Sequence, residues 1–232
     1  GTICPTNTTL NISDWGDDRP FDTQINEMRV NLFGEFDRLD SGAAINLVRL
    51  YLYFGFGAEA QQILYLDSDL LTENILLHEV AEIMERGQID HSNSLQALLD
   101  CDGNIYLWSI LANPEMKPIN NKPAQALLAL NKLPKHLRKF LSPMLSDFFL
   151  KHDDPKNAAA AMRSIERLSE PLEAHAELSQ ANISIADGYV DRGTAQLEDI
   201  ASHNSVQSPY ALVALVNSKV LSGETIKPEI LE

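Results

Sequence analysis

The sequence has little of what catalysis on a metal, on phosphate or by a nucleophilic serine requires. Its 232 residues include only two cysteines, and these form no CxxC pair. The Gly55-Phe56-Gly57 segment lacks the lysine of a phosphate-binding loop, and no GxSxG motif occurs. His78 and Glu79 begin the HExxH motif that holds zinc, but Glu82 stands where the second histidine is needed. We therefore expect no enzyme activity, no metal and no cofactor.

Long apolar runs and positive charge are also scarce. No run of 18 apolar residues occurs, so we expect no membrane insertion. The chain has 18 basic and 33 acidic side chains and a formal net charge of −15. Nucleic-acid binding needs Lys and Arg over the phosphates, so this charge argues against a nucleic-acid partner.

The charge is distributed in three bands along the chain. Residues 1–116 carry 5 basic and 19 acidic side chains, residues 117–167 carry 10 and 4, and residues 168–232 carry 3 and 10. One interpretation is solubility combined with chance. The other is a basic middle that holds an acidic ligand or an acidic neighbouring domain.

The first 19 residues are expected to form an extended leader, rich in Thr, Asn and Asp, that contains Cys4. Such a segment needs to be held in place. A disulfide between Cys4 and Cys101 would do this, and it would favour a periplasmic or secreted protein over a cytoplasmic one. The alternative is two unrelated thiols, with Cys101 acting as a small buried hydrophobe.

Apolar residues recur at helical spacing through the rest of the chain, which predicts an all-α fold without strands. Asp18 is expected to cap the first helix, with Pro20 in its first turn. The predicted helices span residues 20–37, 43–55, 58–66, 71–86, 94–99, 105–111, 123–130, 134–151, 158–168, 173–187, 192–202 and 209–221. Three prolines predict a loop over residues 113–123, and Pro143 predicts a kink inside its helix.

Helical hairpins in this chain share one residue pattern of apolar, aromatic, turn, small and apolar positions. The first set is Leu47, Tyr51, Gly55, Ala60 and Leu64, and a shift of 98 residues gives Leu145, Phe149, Asp153, Ala158 and Met162. A further shift of 35 places Gly188, Gly193 and Leu197 on the turn, small and second apolar positions. The small residue lets two helices approach closely, and the aromatic residue fills the space between hairpins.

This pattern resembles the tetratricopeptide repeat, a hairpin of two antiparallel helices about 34 residues long. The resemblance covers residues 41–232 and lacks the usual Trp and closing Pro. It implies one repeat domain over residues 20–232, continuing beyond residue 232 in the natural chain. That domain would be a right-handed superhelix of about five to six hairpins. A compact helical bundle is the alternative.

In tetratricopeptide arrays the first helix of each hairpin lines a concave groove, in which peptides or partner proteins bind. The resemblance implies six groove positions in this chain, namely Arg49, Tyr53, Asp147, Lys151, His175 and Asn182. Arg and Tyr commonly anchor interfaces, which favours Arg49 and Tyr53. The alternative is that each position is simply a solvated polar residue.

The resulting expectation is a non-catalytic interaction or scaffold module for a peptide or partner protein. The alternatives are an α-superhelical accessory region of a larger enzyme and a homo-oligomeric structural spacer. The sequence leaves the partner and the oligomeric state open.

Overall fold

A computed structural model describes residues 2–34, 38–119, 122–166, 172–203 and 205–223. This part of the chain forms twelve α-helices and no β-strand, which confirms the predicted all-α class. Two short 3₁₀ helices, Ile12–Asp14 and Ser94–Leu98, accompany them. None of the described helices has both the length and the apolar character needed to cross a membrane.

The chain divides into two compact units, Gly1–Arg138 and Lys139–Glu232, with the boundary inside the eighth helix. In chain order the helices are α1 (Phe21–Arg29), α2 (Ser41–Tyr53), α3 (Gly57–Leu64), α4 (Ser68–Glu73), α5 (Ile75–Arg86), α6 (Asn104–Ala112), α7 (Pro123–Lys132), α8 (Lys135–Lys151), α9 (Pro155–Glu166), α10 (Ala174–Ala186), α11 (Val190–Ser202) and α12 (Ser208–Ser222). Most lie within a few residues of their predicted bounds. The predicted end of α9 at Leu168 lies outside the described residues.

The first helix is shorter than predicted and is capped differently. It ends at Arg29 rather than at residue 37, because the backbone then turns and the Asp40 N–H donates to the Leu32 carbonyl. Residues 35–37 lie outside the described part of the chain. Asp18 is not its cap, since Pro20 takes that position without a side-chain bond. The buried side chain of Gln24 instead bonds to backbone groups just before the helix.

The prediction of one continuous helix over residues 71–86 is also wrong. The chain forms α4 and α5 with a break at Asn74, whose side chain donates to the Leu70 carbonyl at 2.9 Å. Asparagine competes in this way with the backbone bonds of a helix, which accounts for the break. The predicted short helix at residues 94–99 is the 3₁₀ helix already named, and buried Glu79 accepts from the backbone N–H groups of Ser94 and Leu95 at its start.

In the first unit, helices α2 and α3 pack against each other as a hairpin, and α5 packs against both. Gly55 in the turn has a φ of +81°, a conformation that glycine adopts without strain. Gly57 begins α3 so close to α5 that a Cβ there would lie 2.2 Å from the Ala81 carbonyl oxygen. A side chain at residue 57 would therefore force the two helices apart.

The leader is tied to this unit by a disulfide between Cys4 and Cys101, with an Sγ–Sγ distance of 2.11 Å. The carboxamide of Asn7 accepts from the Asn104 N–H at 3.2 Å. Nearby, the Lys122 ammonium group donates to the carbonyls of Asp100 and Cys101. The structure thus has the bridged arrangement and not the two unrelated thiols.

In the second unit, each of the helices α9 to α12 packs against the next one along the chain. The residues that follow α8, α10 and α12 have positive φ values, +58° at Asp153, +89° at Gly188 and +72° at Gly223, and they are 35 residues apart. Gly193 on α11 approaches α10 so closely that a Cβ there would lie 2.8 Å from the Ala181 carbonyl oxygen. The positions that share a place in the sequence pattern therefore share a local conformation.

Candidate functional site

In the first unit, the predicted groove residue Tyr53 lies beneath the leader. Tyr53 is only 8% exposed. The Cα of Gly16 lies against the Tyr53 ring, and the Tyr53 hydroxyl donates to the Asp17 carbonyl at 3.3 Å. Burial raises the pKa of the Tyr53 phenol, and the nearby carboxylates of Asp18 and Asp17 raise this pKa further.

Two further contacts fix the same face of α2. His136 binds the Tyr53 backbone carbonyl through Nε2 at 2.6 Å, and the two rings meet edge to face with centroids 5.6 Å apart. The Arg49 guanidinium lies 5.9 Å from the centroid of the Trp15 ring, within the range of a cation–π contact. The protein's own leader thus contacts both groove positions predicted in this unit.

In the second unit, two of the predicted residues bind each other. The Asp147 carboxylate on α8 contacts His175 Nε2 on α10 at 2.7 Å and accepts from the Ser179 hydroxyl at 2.9 Å. Ser179 is fully buried, so its hydroxyl holds the carboxylate from the interior side. Each of the two donors uses a different oxygen of Asp147, which fixes the orientation of the carboxylate.

Beside this carboxylate lies a groove of about 400 Å³, which we call the α8–α10–α12 groove. It is lined by Asp147, Leu150, Asn182, Ile185, Ala186, Ala214, Asn217, Ser218 and Leu221. The carboxamides of Asn182 and Asn217 make no hydrogen bond to any described residue. The Ser218 hydroxyl also has none, although that residue is only 7% exposed. These unpaired polar groups are available to a bound molecule.

The groove has two rows of residues that follow the 35-residue spacing. The polar row is Asp147, Asn182 and Asn217, one residue from each of the three helices. The apolar row is Leu150, Ile185, Ala186 and Leu221, one turn further along the same helices. A bound chain that crosses the three helices would meet polar groups on one side and apolar side chains on the other.

The structure brings together three of the four groove positions predicted in this unit. Asp147 and Asn182 line the groove. His175 does not line it but contacts the Asp147 carboxylate. Lys151, the last residue of α8, is exposed and does not line it. Asn217 was missed by the sequence argument. One more shift of 35 residues from Asn182 is the signal that identifies it.

A separate chain of polar side chains lies in the first unit. Tyr65 Oη contacts His78 Nε2 at 2.8 Å, and Glu82 lies 3.6 Å from His78 Nδ1 and 3.2 Å from His91 Nε2. The carbonyl of Ser92 and the Glu82 carboxylate raise the pKa of the His91 imidazole. The described residues include no group of three or more His, Cys, Asp or Glu side chains placed to hold a metal ion.

Comparisons of the chain with family models, with curated proteins and with solved structures give no match.

Proposed function

We propose that this protein is a non-catalytic interaction module that binds an extended segment of a partner protein in the α8–α10–α12 groove. The observation that carries the proposal is the pair of unpaired carboxamides, Asn182 and Asn217, at equivalent places on neighbouring helices. A carboxamide both donates and accepts hydrogen bonds, which are the bonds that an extended peptide backbone offers.

The proposal includes tetratricopeptide-like hairpins that stack as a right-handed superhelix. Support comes from the aligned turn positions Gly55, Asp153 and Gly188, all of which have positive φ. The aligned small residues Ala60 and Ala158 are fully buried, as close helix contacts require. The groove is lined by α8, α10 and α12, which are the first helices of successive hairpins in this scheme.

The chemistry of the groove favours a protein partner over nucleic acid. Its lining includes no Lys or Arg, and the whole chain has a net charge of −15. Phosphate binding would need positive charge at this place. The Cys4–Cys101 disulfide supports an oxidising compartment, so a periplasmic or secreted location is part of the proposal.

Site-specific photo-cross-linking tests the proposal. A photoreactive phenylalanine analogue would replace Ala186, which lines the groove, and separately Ala195, an exposed residue of α11 outside it. After irradiation with envelope and soluble fractions of the source cells, we expect an adduct from position 186 and none from position 195. Mass spectrometry of the adduct then identifies the bound segment.

The double substitution Asn182→Ala/Asn217→Ala should remove that adduct while leaving the helical content unchanged. Equal cross-linking at positions 186 and 195, or an adduct that survives the double substitution, would contradict the proposal.

A further inference from the structure

The charge of the α8–α10–α12 groove specifies the kind of segment that fits it. Building on the proposed function, we infer that the partner segment presents a basic side chain to Asp147 and an apolar side chain to the apolar row. Asp147 is thereby the residue that determines charge specificity.

Asp147 is the single charged residue among the nine that line the groove. Its side chain is 45% exposed, so a cation from a partner can reach it. Lys151, one turn further along α8, does not line the groove. An acidic side chain or a chain-terminal carboxylate in this place would meet the Asp147 carboxylate, whose contact is the His175 imidazole, and no Lys or Arg lines the groove to attract it.

The hydrogen bonds of Asp147 leave it able to accept more. His175 and Ser179 use one carboxylate oxygen each, whereas a carboxylate offers about four lone-pair sites. The same two bonds hold the carboxylate in one orientation. A partner ammonium or guanidinium therefore meets an acceptor that is already positioned, and a smaller loss of side-chain entropy accompanies binding.

The opposite row accepts an apolar side chain. Leu150, Ile185 and Leu221 present aliphatic carbons, and Ala186 leaves space between them. Neighbouring helices lie about 8–10 Å apart and an extended chain rises about 3.3 Å per residue, so the segment advances about three residues per helix. A segment of about six or seven residues thus spans the three helices of the groove.

The polar side chains that line the groove favour a ligand with polar backbone groups. Ser218 is only 7% exposed, and its hydroxyl has no hydrogen bond to any described residue. A ligand that is apolar throughout would leave Ser218, Asn182 and Asn217 unpaired, which is costly. An extended peptide with mixed side chains meets all three conditions of charge, shape and polarity.

Selection from a random heptapeptide display library against the full chain tests the inference directly. We expect the selected peptides to be enriched in Lys or Arg followed or preceded, within about three residues, by Leu, Ile, Val, Phe or Met. Asp147→Asn keeps the size of the side chain and removes the charge, so it should weaken a selected peptide about fivefold. Asp191→Asn, the same chemical change at an exposed site outside the groove, should have no effect.

The two proposals fail in distinguishable ways. Peptides that depend on Asn182 and Asn217 but show no basic enrichment, or that bind Asp147→Asn as well as the parent, would overturn the charge inference and leave the interaction function standing. Selected peptides that are indifferent to Asn182→Ala/Asn217→Ala would overturn the proposed use of the groove, and the charge inference with it. A reversal of preference to acidic peptides in Asp147→Lys would be the strongest support.

Discussion

Gly16 lies so close to the aromatic ring of Tyr53 that a Cβ on residue 16 would be 2.4 Å from the ring carbon Cδ1. The hydroxyl of the same tyrosine donates to the Asp17 carbonyl, and Arg49 faces the ring of Trp15. The leader is therefore packed against α2 by side-chain contacts as well as tethered by its disulfide. A partner that used this face of α2 would first have to displace residues 15–17.

The first prediction follows from that close approach. Gly16→Ala places a methyl group where the Tyr53 ring now lies, so the ring or the leader must shift. We expect the free energy of unfolding to fall by about 1–3 kcal/mol, the usual cost of overpacking. Urea denaturation measures this. Gly34→Ala is the control, because the nearest atom to its added Cβ is 3.9 Å away. Equal stability of the two variants would contradict the packing described here.

The second prediction concerns the disulfide. Cys4→Ser/Cys101→Ser removes a bridge between residues 97 apart in the sequence. The lost constraint on the unfolded chain should lower the free energy of unfolding by about 2–5 kcal/mol. It should also make the leader cleavable by protease at residues 5–20, with α2 left intact. In the unreduced wild type, intact mass after alkylation should show no added group, and two added groups would contradict the bridge.

The parts of the fold that the sequence predicted are those set by local pattern. Apolar spacing gave the helices, and the paired turn residues gave the hairpins at Gly55 and Gly188. The sequence did not predict the break at Asn74, because the spacing of apolar residues is continuous there. The helix is interrupted by one hydrogen bond from the Asn74 side chain to the carbonyl of Leu70. Such a competition between side chain and backbone leaves no mark in the hydrophobic period.

Local pattern likewise predicted some features of the candidate site and not others. Asp147 and Asn182 share a helix position 35 residues apart, so the repeat pattern located them together. Tyr53 was predicted from the same rule, yet the leader lies over it. Gly16 and Tyr53 come into contact only through tertiary folding, and the sequence around neither residue predicts this contact. The 35-residue spacing therefore identifies positions that line one groove, but it does not indicate which positions the leader covers.

The third prediction tests the close packing of α3 against α5. In Gly57→Ala the added methyl group would meet the Ala81 carbonyl oxygen at 2.2 Å and the Glu85 backbone nitrogen at 2.9 Å. Backbone atoms inside a helix cannot move aside singly, so we expect a loss of about 3 kcal/mol, the upper end of the overpacking range. Thermal denaturation followed by circular dichroism measures it.

Gly42→Ala is the matched control for this variant. Gly42 also lies in the first turn of a helix, and its added Cβ would meet only the Asp40 side-chain oxygen, at 3.3 Å. The higher helix propensity of alanine, about 1 kcal/mol, offsets that contact. A loss of stability in Gly42→Ala as large as in Gly57→Ala would show that the effect does not arise from helix packing.

The fourth prediction concerns pH and the contact between His91 and Glu82. Both ring nitrogens of His91 face acceptors, Nδ1 the Ser92 carbonyl at 3.0 Å and Nε2 the Glu82 carboxylate at 3.2 Å. The charged imidazolium is thus favoured, and the pKa of His91 is raised in the folded protein. A raised folded-state pKa contributes stability that is fully present below the unfolded value of about 6.5 and is lost as pH rises through the folded pKa.

Nuclear magnetic resonance titration of the His91 ring should show this raised pKa directly. Glu82→Gln should lower the pKa of His91, because the neutral amide no longer stabilises the imidazolium. Glu73→Gln removes an exposed carboxylate on α4 and should leave the His91 titration unchanged. In His91→Gln, the free energy of unfolding at pH 5 should fall relative to the value at pH 8, because the stabilisation by the imidazolium at low pH is gone. A His91 pKa that does not respond to Glu82→Gln would show that the 3.2 Å contact does not persist in solution.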